Sequence, residues 1–228
     1  MNTVAFVGAG HLGSTIARLA VAAGLSVVLS NSRGPQSLVD LVNDLGDSAT
    51  AATVDEAAAA SDYVVLAIPY GAYQSIPVDP FEGKVVIDSN NYFPDRDGTF
   101  DELLTGKVTS TELIQRHLAG ARIAKAFNTI YAPHLSNLAR PADAPDRSAL
   151  AVASDDETAK TMTIGLLNVL GWDAVDGGTL ADSWRLQPGS PAFVCPYMTL
   201  EDFSTLPNDP GKPTSAAAIR RALDAAAR

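Results

Sequence analysis

Val4-Ala5-Phe6-Val7 runs without a break into Gly8-Ala9-Gly10-His11-Leu12-Gly13 and then into an Ala-rich stretch of helical composition. A short apolar run that ends in Gly-x-Gly-x-x-Gly and opens a helix predicts the first strand and helix of an open parallel sheet built to take a dinucleotide. Gly8 permits the tight turn, Gly10 lets the backbone approach a pyrophosphate, and Gly13 lets the helix lie close against the strand. The helix N-terminus then faces the anion. The alternative is a purely structural glycine turn.

The end of the second predicted strand, Ser26-Val27-Val28-Leu29, bears on which dinucleotide. An NAD site usually carries an Asp or Glu there for the ribose hydroxyl, but this chain has Ser30-Asn31-Ser32-Arg33. With no carboxylate to repel it, a 2′-phosphate can pair with the Arg33 guanidinium and take hydrogen bonds from Ser30, Asn31 and Ser32. The pattern favours NADP(H) over NAD(H). Against it stands the reading of a polar surface loop with a solvated arginine.

Strand and helix patterns then alternate, which implies parallel crossovers rather than hairpins. A helix is expected over Pro35 to Leu45, a weak edge strand at Thr50 to Thr53 and a short Ala-rich helix at Asp55 to Ser61. Further strands are expected at Tyr63 to Ile68, ending at Pro69, at Lys84 to Asp88 and at Arg122 to Ala126, with a helix from Ser110 to Leu118 before the last. Beyond the Pro- and Asp-rich stretch 141–146, a strand from Ser148 to Ala153, a helix to about Leu170 and a strand at Trp172 to Val175 extend the same sheet. The expected fold is α/β: a Rossmann-type, doubly wound, mainly parallel sheet with a small C-terminal β-α-β extension and tail. Residues 1–140 form the NADP-binding part, and 147–228 the extension, a closing helix near Thr214 to Leu223 and a Pro/Gly-rich tail. Lid, oligomer contact and simple packing all remain open for that tail.

Composition narrows the setting. An apolar fraction of 46% over 228 residues fills a sizeable core. The single Cys195 makes no internal disulfide, and with histidines only at 11, 117 and 134 a metal site is not expected. Sixteen Lys and Arg against 26 Asp and Glu leave a net charge of −10, which argues against nucleic acid or an anionic membrane as partner. The chain starts its strand at once with no cationic leader, and no apolar run reaches the length of a membrane span, so a cytoplasmic protein is expected. The apolar segment Ala192 to Met198 suits solvent poorly and suggests a homodimer.

Ligands of such sheets bind over the carboxyl ends of the strands. Gly8 to Gly13, Ala67-Ile68-Pro69-Tyr70, Asp88-Ser89-Asn90-Asn91 and Ala126-Phe127-Asn128-Thr129 converge there. Pro69 would stiffen the loop beside the nicotinamide ribose, unless it is a plain strand terminator, and Tyr70 would supply an aromatic wall. Asn90, Asn91 and Asn128 suit a carboxamide or a substrate carbonyl, although amides at strand ends also make turns. His11 reads as packing or hydrogen bonding near the pyrophosphate, and Lys125 as an edge or surface residue.

Together with Asp176 to Arg185 and the run Ala126 to Ile130, the glycine turn, Ser32-Arg33 and Ala67 to Tyr70 resemble the F420-dependent NADP oxidoreductase family over roughly Asn2 to Arg185. The resemblance implies NADP lying across the strand ends and hydride exchange between its nicotinamide C4 and C5 of a deazaflavin, coenzyme F420. It assigns Gly8, Gly10, His11, Leu12 and Gly13 to the pyrophosphate, Ser32 and Arg33 to the 2′-phosphate, and Ile68 with Pro69 to the nicotinamide; Ala67 adjoins them. Leu186 to Pro191 and Asp88 to Pro94 depart from the family's more apolar segments.

Hydride transfer between stacked rings needs positioning and dryness more than a catalytic triad. A carbonyl or imine acceptor would instead need a proton donor, for which Tyr70 and His134, and also Tyr92 and Tyr131, are candidates. Three functions therefore stand: a deazaflavin-linked NADP reductase, a reductase of a small imine or carbonyl whose nucleotide half is similar to pyrroline-carboxylate reductases, and a non-catalytic NADP(H) sensor.

Overall fold

The computed structural model describes residues 2–200 and 202–227. Among the described residues eight strands form one sheet: β1 Thr3–Val7, β2 Ser26–Ser30, β3 Ala49–Ala51, β4 Tyr63–Leu66, β5 Val85–Asp88, β6 Arg122–Lys125, β7 Ala149–Ala153 and β8 Asp173–Gly178. Their order is β3-β2-β1-β4-β5-β6-β7-β8, so the chain winds outward one way from β1, then returns to β4 and winds the other way. Every pairing is parallel except β6 with β7, which meet antiparallel at the single pair Lys125 and Ala153. The fold is thus an α/β Rossmann-like sheet, extended by β7 and β8. The one departure from parallel crossovers arises because the chain does not cross back to the amino end of the sheet after β6, so β7 starts from the carboxyl side.

The helices are α1 His11–Ala22, α2 Val39–Leu45, α3 Val54–Ala59, α4 Pro94–Asp97, α5 Asp101–Leu104, α6 Ser110–His117, α7 Ala132–Asn137, α8 Glu157–Val169 and α9 Ala216–Asp224. They cover both faces of the sheet. Side chains alternate across a strand, so Val4 and Phe6 of β1 join the core beneath α1, α8 and α9, while Ala5 and Val7 join the one beneath α3 and α6. Helix starts follow capping chemistry: Thr53 and Thr109 form capping boxes with Glu56 and Glu112, Asp156 accepts from the Ala159 N–H, and Ser215 from the Ala218 N–H.

The stretch expected as one helix from Pro35 to Leu45 is a 3-10 turn, Pro35–Leu38, followed by α2. The strands expected to reach Ile68 and Ala126 stop at Leu66 and Lys125, because the chain leaves the sheet there to build the ligand-facing loops. Short helices α4, α5 and α7 occupy stretches with too few turns for a 3.6-residue pattern to repeat. No helix among the described residues is long and apolar enough to cross a membrane.

Most of the apolar tail segment is buried within the chain: Ala192, Val194, Tyr197 and Met198 are all covered, and the Tyr197 hydroxyl donates to the Ala149 carbonyl at 2.7 Å. This burial removes the exposed apolar surface on which the homodimer expectation rested. Asp209 ties the end of the tail down. Its carboxylate accepts from the Thr199 hydroxyl and N–H and from the Gly211 N–H, at 2.7 to 2.9 Å.

Candidate dinucleotide and substrate site

The strand order reverses between β1 and β4, and the carboxyl ends of those strands open a cleft. Gly8 adopts φ +103°, and a Cβ there would lie 2.0 Å from the Ala67 carbonyl oxygen; a Cβ at Gly13 would lie 2.2 Å from the Gly8 oxygen. These two glycines let loop, strand and helix touch. Gly10 differs, since a Cβ built on it meets nothing within 4 Å. It caps α1 without a side-chain bond, and the first turn of α1 carries no acidic residue, so the helix N–H groups stay open toward the cleft. These features fit a pyrophosphate. Gly10→Ala is therefore expected to cost at most about 1 kcal/mol of stability while weakening NADP at least about tenfold in calorimetry, whereas Gly8→Ala disrupts the fold itself.

Three cavities join end to end over the strand ends. The first, about 370 Å³, lies between Gly8, Gly10, Ser32, Arg33 and Ile68. The second, also about 370 Å³, shares Gly10 and Ala67-Ile68-Pro69 with the first and reaches His11, Leu12, Asn90 and Arg96. The third, about 870 Å³, shares His11, Leu12, Asn91 and Phe93 with the second and widens into a chamber walled by Ile130, Tyr131, Phe193, Phe203 and Leu206. One trough results, polar and glycine-lined at one end and aromatic at the other.

At the polar end Arg33 and Ser32 are exposed on the cavity rim, and no carboxylate pairs with Arg33 among the described residues. Asn31 lines the cavity but spends its amide on the loop: Oδ1 accepts from the Arg33 N–H and Nδ2 donates to the Ser37 hydroxyl, each at 2.9 Å. Ser30 does not face a ligand. It is buried, and its hydroxyl donates to the Phe6 carbonyl at 2.8 Å, which corrects its expected role at the 2′-phosphate.

In the middle, Asn90 Oδ1 accepts from the Ile68 N–H at 2.8 Å, while Asn90 Nδ2 is buried without a partner. Asn128 donates from Nδ2 to Asn91 Oδ1 at 3.0 Å and to the Leu186 carbonyl at 2.6 Å, which leaves its buried Oδ1 unpartnered. Phe127 just before it sits at φ +64°, and Val194, whose N–H donates to the Thr129 carbonyl at 2.9 Å, at φ +62°. Two non-glycine residues in the left-handed region are thus held beside the chamber, where such strain commonly marks a site.

The two proposed proton donors are closed off. Tyr70 is fully buried among Tyr73, Tyr92 and Phe100, and its hydroxyl donates to the Ser110 carbonyl at 2.9 Å. Burial pushes that hydroxyl far above the usual tyrosine range, and Tyr70 forms no wall of the trough. His134 is fully buried; its Nε2 donates to the Asp209 carbonyl at 2.9 Å, which anchors the tail. Tyr92 is occupied in the same aromatic cluster, donating to the Gly98 carbonyl. Tyr131 alone of the four faces the chamber.

Lys125 is neither at an edge nor on the surface. It lies in a central strand with helices on both faces and is 1% exposed, its ammonium 2.9 Å from Asp88. Burial pushes that ammonium below the ordinary lysine range, against the pull of the Asp88 carboxylate. The chamber walls lie outside the expected site: Phe93, Phe193 and the 3-10 turn that carries Phe203 and Leu206 are three separate segments of the chain, and apolar residues in Pro/Gly-rich stretches are their signal in the sequence.

Sheet order, glycine turn and trough define a dinucleotide-binding α/β protein of the Rossmann kind. Residues 3–92 match the family described as NADP oxidoreductase coenzyme F420-dependent. Across most of its length it is similar to the hypothetical protein SMa0349 of Sinorhizobium meliloti, at 34% identity and TM-score 0.73, covering 85% of this chain and 93% of that one. An Arthrobacter sp. FB24 protein, named for a proposed F420-dependent NADP-reductase activity, shares the fold at 24% identity and TM-score 0.66, covering 80% and 86%. The Escherichia coli K12 protein YjhV is 40% identical over 57 residues, which is 25% of this chain and 42% of that one.

Proposed function

We propose that this chain is an NADP(H)-dependent oxidoreductase whose second substrate is a flat, multi-ring hydride carrier of the deazaflavin type, coenzyme F420. The continuity of the trough carries this reading. A nucleotide gripped at Gly10 and Arg33 directs its far end through the second compartment toward an aromatic chamber of about 870 Å³, larger than a small imine needs. Bound NADPH supplies the hydride. Gly8, Gly10 and Gly13 shape the pyrophosphate cradle with His11 and Leu12 beside it, Ser32 and Arg33 receive the 2′-phosphate, and Ala67, Ile68 and Pro69 form the shelf at the second compartment. Phe93, Tyr131, Phe193 and Phe203 would stack against the carrier and exclude water, so that the two reacting carbons meet at about 3–3.5 Å. Among the described residues lining the chamber only His11 and Tyr131 carry groups able to exchange a proton in acid–base catalysis, which suits a transfer that asks little acid–base work of the protein.

Tyr131 favours a second reading, reduction of a small imine or carbonyl with the phenol as proton donor. Turnover separates the two. NADPH mixed with oxidised F420 and the protein is expected to bleach the deazaflavin absorbance, and Tyr131→Phe is expected to leave that rate within about threefold, since no proton passes through the phenol. NADPH consumption with imines or ketones, abolished by Tyr131→Phe and absent with F420, would establish the second reading instead. Tight NADP binding with neither turnover would leave a sensor.

A further inference from the structure

The second compartment of the trough begins past Gly10, so a nucleotide anchored at Arg33 and Gly10 must place its second ribose and nicotinamide there. In this compartment one buried donor among the described residues is left uncommitted. Asn90 is 3% exposed; the Ile68 N–H on Oδ1 fixes which way its amide points, and Nδ2 then meets no acceptor. A buried donor without a partner is uncommon and costly, and a ligand carbonyl relieves that cost.

The backbone of Asn90 is held from both sides by buried charge. Its N–H donates to Asp88 Oδ1 at 2.9 Å, and its carbonyl accepts from Lys125 Nζ. Lys125 closes on Asp88 Oδ2 at 2.9 Å, where the Thr111 hydroxyl also donates at 2.7 Å. A buried ion pair is a poor way to gain stability, because desolvation offsets much of the attraction and apolar residues of like volume do as well. What this one achieves is geometric. Asp88 and Lys125 end adjacent strands, β5 and β6, and between them they fix the first residues of the loop that lines the compartment.

We propose that the Lys125–Asp88 pair is a positioning device that holds Asn90 so that Nδ2 donates to the carbonyl oxygen of the nicotinamide carboxamide. Asn90 reads the redox end of the nucleotide, and Lys125 acts through it. The inference rests on the nucleotide half of the function proposed above and is independent of the acceptor.

The test compares calorimetric binding of NADP with that of adenosine 2′,5′-bisphosphate, which carries the Arg33 end of the nucleotide but no nicotinamide. Asn90→Asp keeps an acceptor for Ile68 and removes the donor, and Asn90→Ala removes both. Each is expected to lose about tenfold or more in NADP affinity, as for a lost buried hydrogen bond, with bisphosphate affinity within about twofold. The isosteric Asp88→Asn, and Asp88→Asn/Lys125→Met with both charges removed together, are expected to show the same split. In the native protein the Asn90 side-chain amide resonance is expected to move on adding NADP and to stay on adding the bisphosphate. Unchanged NADP affinity in the Asn90 variants, or equal losses for both ligands, overturns the proposal. A fall in melting temperature without the split, in either Asp88 variant, makes the pair structural only and overturns its positioning role. A native protein that binds the bisphosphate and gains nothing from nicotinamide overturns this inference alone; one that binds neither ligand overturns the nucleotide reading with it.

Discussion

Lys125→Met is expected to lower the unfolding free energy by about 3–5 kcal/mol, as when one partner of a buried pair is removed and the other stays behind. Asp88 has no exposed face on which to recover solvent, and the Thr111 hydroxyl and Asn90 N–H that remain do not neutralise its charge. Removing the second charge as well, in Asp88→Asn/Lys125→Met, is expected to restore much of the loss, because the penalty belongs to the lone charge. Urea unfolding of the native chain, the single variant and the double variant measures all three. A double variant no more stable than the single would show that the cost lies in lost packing of the lysine stem.

Arg33→Ala is expected to weaken NADP by about 1.5–3 kcal/mol, the range for a hydrogen bond to a charged group, or roughly tenfold to 150-fold in Kd. NAD affinity should hardly move, since NAD lacks the phosphate that the guanidinium receives. The structure supplies the conditions for so selective an effect. Arg33 is exposed on the cavity rim beside Ser32, no carboxylate among the described residues neutralises it, and the Asn31 side chain braces the turn that presents it. Calorimetry with both nucleotides decides, and equal losses for NADP and NAD would reject the assignment of Arg33.

The glycine-lined end of the trough was readable in the chain because its pattern is local. Gly8, Gly10 and Gly13 act within six residues of one another, and Ser32 and Arg33 follow their strand directly. The aromatic end was not, because Phe93, Phe193 and Phe203 meet only after the tail folds back over the sheet. Tyr70 and His134 misled for a related reason. A phenol or imidazole looks alike in sequence whether it faces a cleft or serves as an internal tie, and here both hydrogen-bond to backbone carbonyls in the interior. Lys125 was legible in principle: a strand flanked by helices on both faces has no wet side, so a lysine within it must find a partner. Ser30 illustrates the converse, a residue in the right place along the chain whose hydroxyl turns inward to close the Phe6 carbonyl.

The outer wall of the chamber is lent by Pro188 to Leu206, far along the chain from the glycine turn, while the family match ends at residue 92. The outer wall of the chamber and the glycine turn are therefore written in separate stretches of the gene. Mutation in the later stretch can reshape that wall and leave the glycine turn untouched, so descendants of one ancestor can keep one end of the trough while diverging at the other.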